Sequence, residues 1–253
     1  MLFRSCRFCA AWYQENERLP ITVEVMDAFL ADCAELGVRG ISLVSDGEST
    51  ISPAFHFAVE RGHALGIDMA VGTNGLLFTR EWAERLLPHL TYVRINFSAG
   101  ERSRYAEIMG LKQAVYDIVI QNLRDAVRLV RDNKWPCIVN MNLVCDPRDS
   151  DQLVPFARLA KDLGVHYAII KHCAVDPDGV LDVDYTAYNQ IEHILREAES
   201  LSDDTTKIVI KWQKIRKAGK REHTACYGPP FALQMSGNGL VAPCGPLFNE
   251  KYR

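Results

Sequence analysis

The sequence predicts an α/β fold built on parallel strands, and three observations carry that prediction. Segments of helical and of strand periodicity alternate from residue 22 to about residue 205. Glycines stop two of the helical segments, at Gly37 and Gly164, just ahead of apolar strand-like runs. Over 253 residues, 48% hydrophobic content is enough for one large core and a smaller appendage. Such alternation requires parallel strands joined by helical crossovers, in an open doubly wound sheet or in a closed or partial barrel. Spacing alone leaves both open.

The elements follow in order. A helix over 23–36 presents Met26, Phe29, Leu30, Cys33 and Leu36 on one face and runs past Gly37 into a strand at 40–44. Helices near 53–65 and 79–87 alternate with strands at 68–71 and 92–97. A long helix over 112–131 carries Val115, Ile118, Val119, Leu123, Ala126 and Val130, and a strand follows at 138–144. The next helix, 150–163, ends at Gly164 and delivers the run VHYAIIKH at 165–172; a helix near 184–199 closes the series of five strands. After Leu201 the composition changes to a short strand at 207–212, the basic loop KIRKAGKREH and a hairpin in ALQMSGNGLVAP. A domain boundary is expected near 205, giving domains of 1–204 and 205–253.

Bulk properties exclude several classes of partner. A formal charge of −3, from 29 basic and 32 acidic residues in mixed order, leaves no footprint for nucleic acid or an anionic membrane. No run approaches eighteen apolar residues, and the opening MLFRSCRFCAAWYQ has neither an apolar h-region nor a small-residue cleavage site, so a cytoplasmic protein is expected. Eight cysteines in a chain of this size read as reduced thiols or metal ligands rather than as a disulfide framework.

Ligands of parallel α/β folds gather at the C-terminal ends of strands, so the chemistry is sought there. Asp46, Gly47, Glu48 and Ser49 follow the first strand, and Thr73, Asn74 and Gly75 follow the second, where a plain Asn-Gly turn is the alternative. Asn96, Ser98, Asn140 and Asn142 lie at or near later strand ends, and each needs a partner, either a cofactor or a neighbouring side chain. Lys171, His172, Cys173, Asp176 and Trp212 are candidates to line a pocket, although a His-Cys pair at a strand end is equally a packed pair. His56, His63 and Cys137 read as structural. Cys6-x2-Cys9 can hold one soft metal centre from a single turn, and it can equally be half a zinc site, a redox dithiol or two unligated thiols. Cys226 and Cys244 flank the hairpin, whose reversal at 236–239 brings them towards each other at its open end.

Taken in order, these segments resemble the radical S-adenosylmethionine (SAM) enzymes. SCRFC is similar to the second and third cysteines of that family's C-x3-C-x2-C motif, ISLVSDGEST to its Gly-Gly-Glu-Pro-like turn, and VGTNGLLFT and VRINFSAG to its next two strand ends. The resemblance implies a partial (β/α)6 TIM-like barrel lacking its first strand. It also implies a 4Fe-4S cluster on Cys6 and Cys9, and SAM held by Asp46, Gly47, Glu48, Ser49, Asn74, Asn96, Ser98 and Asn142. Reductive cleavage of SAM would give a 5′-deoxyadenosyl radical that abstracts hydrogen from substrate. The segment CYGPPFALQMSGNGLVAPCG resembles the opening of a SPASM or twitch extension, implying an auxiliary iron-sulfur site begun by Cys226 and Cys244. Family members with this extension imply a peptide or protein substrate and a reductant such as a ferredoxin or flavodoxin.

The sequence departs from the pattern at one ligand, because Leu2 stands four residues before Cys6, where the family has its first cysteine. The early start of the barrel and the stop soon after Cys244 read as truncation at both ends. Two rivals stand beside the enzyme: a non-catalytic scaffold that keeps the barrel, and a structural zinc tetrathiolate of Cys6, Cys9, Cys226 and Cys244.

Overall fold

The structure is a computed structural model, and it describes residues 6–9, 20–44, 47–174, 181–217, 224–237 and 239–248. Helix α1 (Val23–Glu35) starts where the Thr22 hydroxyl accepts a hydrogen bond from the Val25 amide, and it buries Met26, Leu30 and Cys33. Leu36, counted on that face from the sequence, is instead exposed at the C-cap. Gly37, with φ of 76°, turns the chain out of the helix, as Gly164 does after α6 (Leu153–Leu163) with φ of 69°.

Six strands follow in chain order: β1 (Gly40–Leu43), β2 (Asp68–Thr73), β3 (Leu90–Asn96), β4 (Ile138–Cys145), β5 (Tyr167–His172) and β6 (Lys207–Ile210). They form one sheet in the spatial order β1-β2-β3-β4-β5-β6, with every pairing parallel. This order decides what spacing left open. A doubly wound sheet reverses its strand order at a switch point, whereas six strands laid side by side in chain order run as in a barrel. Crossovers of one hand then place every helix on the same face of the sheet and leave the other face as a concave interior. The architecture is a partial TIM-like barrel.

The crossovers are α2 (Phe55–Ala64), α3 (Arg80–Leu86), α4 (Arg102–Met109) with α5 (Gln113–Asn133), α6, and α7 (Glu192–Ser200). Three helices differ from expectation. Helix α7 starts at Glu192 rather than near 184, because Tyr185–Asn189 form a 3-10 turn capped by Asp184. Helix α4 is separate from α5 because Gly110, in the left-handed region at φ of 63°, breaks the chain between them. Helix α8 (Trp212–Arg216) takes residues read as strand end and basic loop. The strand at 207–210 was read as lying beyond the boundary near 205, yet it pairs with β5, Tyr167 beside Lys207 through Ile170 beside Ile210.

The core lies between sheet and helices. On β3, Val93 and Ile95 are buried towards the helices, so by the two-residue period of a strand Tyr92, Arg94 and Asn96 face the interior. At the end of β3 the chain passes under the start of α6. A Cβ on Gly100 would lie 2.2 Å from the Pro155 carbonyl carbon and 2.3 Å from the Phe156 nitrogen, so no side chain fits there. The Gln152 side-chain oxygen accepts from the amides of Gly100 and Glu101, both at 3.1 Å. Beyond the barrel, β7 (Gln234–Met235) and β8 (Val241–Ala242) pair antiparallel. Their turn closes with Ser236 N donating to Leu240 O at 2.9 Å, and Gly239 adopts φ of 81°, as the sequence predicts. No helix among the described residues is long and apolar enough to cross a membrane.

Candidate functional site

The turn after β1 is organised around one buried carboxylate. Glu48 Oε1 accepts from the Thr50 amide at 3.3 Å, from the Thr50 hydroxyl at 2.7 Å and from the Thr73 hydroxyl, while Oε2 accepts from the Asn74 amide at 2.7 Å. Ser49 Oγ donates to the carbonyls of Leu43 and Gly72 at 3.1 and 3.3 Å. A buried carboxylate is tolerable when it is surrounded by donors in this way. Glu48 therefore ties the β1 turn to the end of β2. Gly47 and Ser49 stand beside it, and Asp46 lies outside the described residues. Asn74 Oδ1 caps its own turn by accepting from the Leu76 amide at 2.9 Å. Asn122 on α5, which no local motif marks, donates to the Gly75 carbonyl at 2.8 Å.

The strand register stacks the interior side chains in layers. Gly72, Arg94 and Asn140 lie side by side on β2, β3 and β4; one step higher Asn96 sits beside Asn142, and above that Val144 sits beside Lys171. Asn142 Nδ2 donates to Asn96 Oδ1 at 3.4 Å, and Ser98 Oγ accepts from the Val144 amide at 3.2 Å. The polar strand ends named from sequence thus meet at the C-terminal mouth of the barrel. Below them Arg94 Nε and Asn140 Oδ1 are buried without a hydrogen-bond partner. Burial, reinforced by the charges of Arg94 and Lys214, pulls Lys171 down to about 8.

Of the other pocket candidates, His172 rests against the Cys173 carbonyl through Nδ1, and burial lowers its proton affinity. Cys173 is packed: its thiol donates to the Cys145 carbonyl at 3.4 Å and its amide to the Tyr188 hydroxyl at 2.9 Å. Trp212 turns away to Glu199, to which its Nε1 donates at 2.9 and 3.0 Å, and lies between the guanidinium groups of Arg196 and Arg216. Trp212 is a brace for α7 and α8. Asp176 lies outside the described residues. His56 packs edge-on to Trp82, His63 lies against His89, and Cys137 is buried, all in structural positions.

The Cys6–Cys9 segment is a single turn in which the Cys9 amide donates to the Cys6 carbonyl at 3.1 Å. Burial first and the neighbouring Cys9 second push the Cys6 thiol up to about 12. Cys6 Sγ lies 3.8 Å from Met109 Sδ, and Arg7, between the two cysteines, reaches Asp149 at 2.6 and 2.9 Å. Asp149 also receives Arg104 at 2.9 Å. Asp149 follows β4, and Arg104 and Met109 belong to α4 after β3. The turn is therefore pinned to α4 and to the segment that follows β4. Arg7, Arg104 and Asp149 lie far apart in the chain, and no local pattern marks them. Cys226 and Cys244 are both exposed on either side of the β7–β8 hairpin.

Comparison with known proteins supplies the family. Residues 3–160 match the Radical SAM superfamily. The chain belongs to the radical SAM superfamily. A GTP 3′,8-cyclase from Synechococcus sp. (strain CC9902) is 27% identical over 184 residues, covering 68% of this chain and 52% of the cyclase. Streptococcus suis SuiB bound to S-adenosylmethionine superposes with a TM-score of 0.70 at 13% identity, over 95% of this chain and 57% of SuiB. Native anSMEcpe with bound AdoMet superposes with a TM-score of 0.65 at 14% identity, over 96% of this chain and 72% of that one. At these identities the structural likeness is one of fold. The chain spans about half the length of the cyclase and 57% of SuiB.

Membership of the radical SAM superfamily implies SAM and a 4Fe-4S cluster. The donor set fits the cluster in part. Cys6 and Cys9 offer two thiols from one turn, but Leu2, at the first cysteine's position, is a hydrocarbon side chain and lies outside the described residues. Among the described residues no three Cys, His, Asp or Glu side chains gather to hold a metal, so Cys6, Cys9, Cys226 and Cys244 are not drawn into one zinc site.

Proposed function

We propose that this chain is the SAM-cleaving barrel of a radical SAM enzyme that modifies a peptide or protein. The observation that supports the reading is the Arg7–Asp149 ion pair, which ties the Cys6–Cys9 turn to the segment that follows β4, the strand that carries Asn142. Cys6 and Cys9 would hold the cluster, with a third ligand supplied from elsewhere. When bound and reduced by a ferredoxin or flavodoxin, cluster and SAM together supply the 5′-deoxyadenosyl radical. The protein's own share is placement: Asn74, Asn96, Ser98 and Asn142 offer amide and hydroxyl groups to SAM, and Glu48 keeps the Gly47–Ser49 turn in register with β2. The interior below is the substrate chamber, the face of the sheet that the crossover helices leave uncovered. Cys226 and Cys244 would begin an auxiliary iron-sulfur site, and a cytoplasmic location suits reduced thiols. Support for a peptide substrate comes from relatives of the fold: SuiB bound to precursor peptide SuiA, with a TM-score of 0.74, and anSMEcpe with bound AdoMet and Kp18Cys peptide, with a TM-score of 0.61.

The test is anaerobic reconstitution with iron and sulfide, followed by SAM, a reductant and assay for 5′-deoxyadenosine. The parent chain should give a trace at most, and Leu2→Cys should give a 4Fe-4S electron-resonance signal together with 5′-deoxyadenosine. A Leu2→Cys protein that carries the cluster and cleaves no SAM would sink this reading in favour of a non-catalytic scaffold, the alternative that Leu2 itself supports.

A further inference from the structure

We infer that the barrel interior holds an anion-binding site, formed by Arg94 and Lys171 with Lys214 at its rim, that takes a carboxylate or phosphate group of the substrate. This rests on reading the interior as the substrate chamber. Three observations converge on the site. First, Arg94 faces the interior, since a Cβ at its register neighbour Gly72 would come within 2.9 Å of the Arg94 Nη2 atom. The glycine leaves the room that the guanidinium occupies.

Second, among the described residues the positive charges have no counter-charge. Among the described residues no carboxylate pairs with Arg94, Lys171 or Lys214, although fourteen other ion pairs are formed. Arg94 Nε is buried and unpartnered, and so is Oδ1 of the adjacent Asn140. A buried cation left alone is costly, and a protein keeps one where a ligand completes it.

Third, the cations work against one another. The charges acting on Lys171 are those of Arg94 and Lys214, which lower its proton affinity, and the Cys173 thiol, which opposes them; burial is the largest cause. An anion between Arg94 and Lys171 relieves that repulsion and gives Arg94 Nε its acceptor. Asn140, one strand over, offers an amide to a neutral polar group beside the anion. The site takes an anionic oxygen group flanked by a polar one, whether a side-chain carboxylate within a peptide or a phosphate ester.

The experiment is a nuclear magnetic resonance titration of the full chain, labelled in its lysine side chains, without cluster or SAM. Three probes are compared: N-acetyl-glutamate methylamide, its glutamine counterpart and inorganic phosphate. Either anion should bind about tenfold more tightly than the neutral amide and should raise the Lys171 titration midpoint from about 8 towards that of an ordinary lysine. Arg94→Gln and Lys171→Met should each weaken anion binding about tenfold, and the exposed Lys214→Gln about twofold, with circular dichroism confirming the fold. Equal response to the anions and the amide overturns the site, as does parental affinity in Arg94→Gln; if that variant does not fold, parental affinity in Lys214→Gln does the same. Tighter binding of the glutamate probe assigns the anion to an acidic peptide residue. Tighter binding of phosphate keeps the site and overturns the peptide reading. Since neither cluster nor SAM is needed, failure of radical chemistry and failure of this site are separable.

Discussion

Glu48, buried against the end of β2, and Arg94, half-buried beside Gly72 with its Nε atom buried, are ionic side chains treated in opposite ways. Around Glu48 four donors from Thr50, Thr73 and Asn74 converge, and the carboxylate is satisfied by its own protein. Around Arg94 and Lys171 no carboxylate is supplied among the described residues, and the charge of Arg94 lowers the proton affinity of Lys171. A buried charge that is fully paired holds structure, whereas one left unpaired raises the free energy of the protein alone and is relieved by a ligand. Glu48 is a fastener and Arg94 is a receptor, although in sequence both are charged residues near strand ends.

The sharpest way to break the comparison is at Glu48. Glu48→Ala leaves the Thr50 and Thr73 hydroxyls and the Asn74 amide without their acceptor, and should lower unfolding free energy by about 3–5 kcal/mol in urea denaturation. A loss under 1 kcal/mol would mean that water replaces the carboxylate and that the turn is not held by it.

Lys171→Met should act in the opposite direction. Lys171 has a folded value of about 8 against an ordinary 10.5, so its burial costs stability fully below pH 8, and the cost fades as pH rises between those values. The unfolded chain binds the extra proton in that window, which is why stability climbs with pH there. Lys171→Met should therefore gain on the order of 2–3 kcal/mol at pH 7 and nothing above pH 11, measured by urea denaturation across pH. A gain that does not change with pH would assign the effect to packing.

A smaller effect is expected at Asp149, where pairing is complete on one side and exposed on the other. Asp149→Asn weakens its bonds to Arg7 and Arg104 and should cost about 1–2 kcal/mol. The more telling readout is the rate at which a thiol reagent modifies Cys6, which should rise severalfold as the turn loosens. An unchanged rate would show that Met109 and the Ile108 carbonyl, which accepts from the Arg7 amide at 3.4 Å, hold the turn without the ion pair.

Much of the fold was legible because strand and helix periods differ. The β1 to β5 runs, the helix stops at Gly37 and Gly164 and the 236–239 reversal could each be read from a few residues. Helix α4 was missed because its apolar set of Tyr105, Ile108 and Met109 is embedded among charges, and β6 was misplaced because only pairing with β5 assigns it. The site divides the same way. Asn74, Asn96, Ser98 and Asn142 stand at strand ends, where position alone marks them. Arg94 reads as an outward charge between Val93 and Ile95, and only the register beside Gly72 and Asn140 turns it inward. Asp149 and Arg7 are 142 positions apart, a separation no local pattern spans.

Gly100 has a consequence for how this family member can vary. The Pro155 and Phe156 backbone fills the volume where a Cβ would stand. If every codon were randomised and folded chains selected, position 100 should return glycine alone, while the exposed Glu101 and Arg102, held only by side-chain bonds to Gln152 and Asp117, would vary more widely. The crossing of those two backbone segments, rather than any chemistry, sets that invariance, and a conserved glycine beside the strand-end serine should not be counted as a contact to ligand.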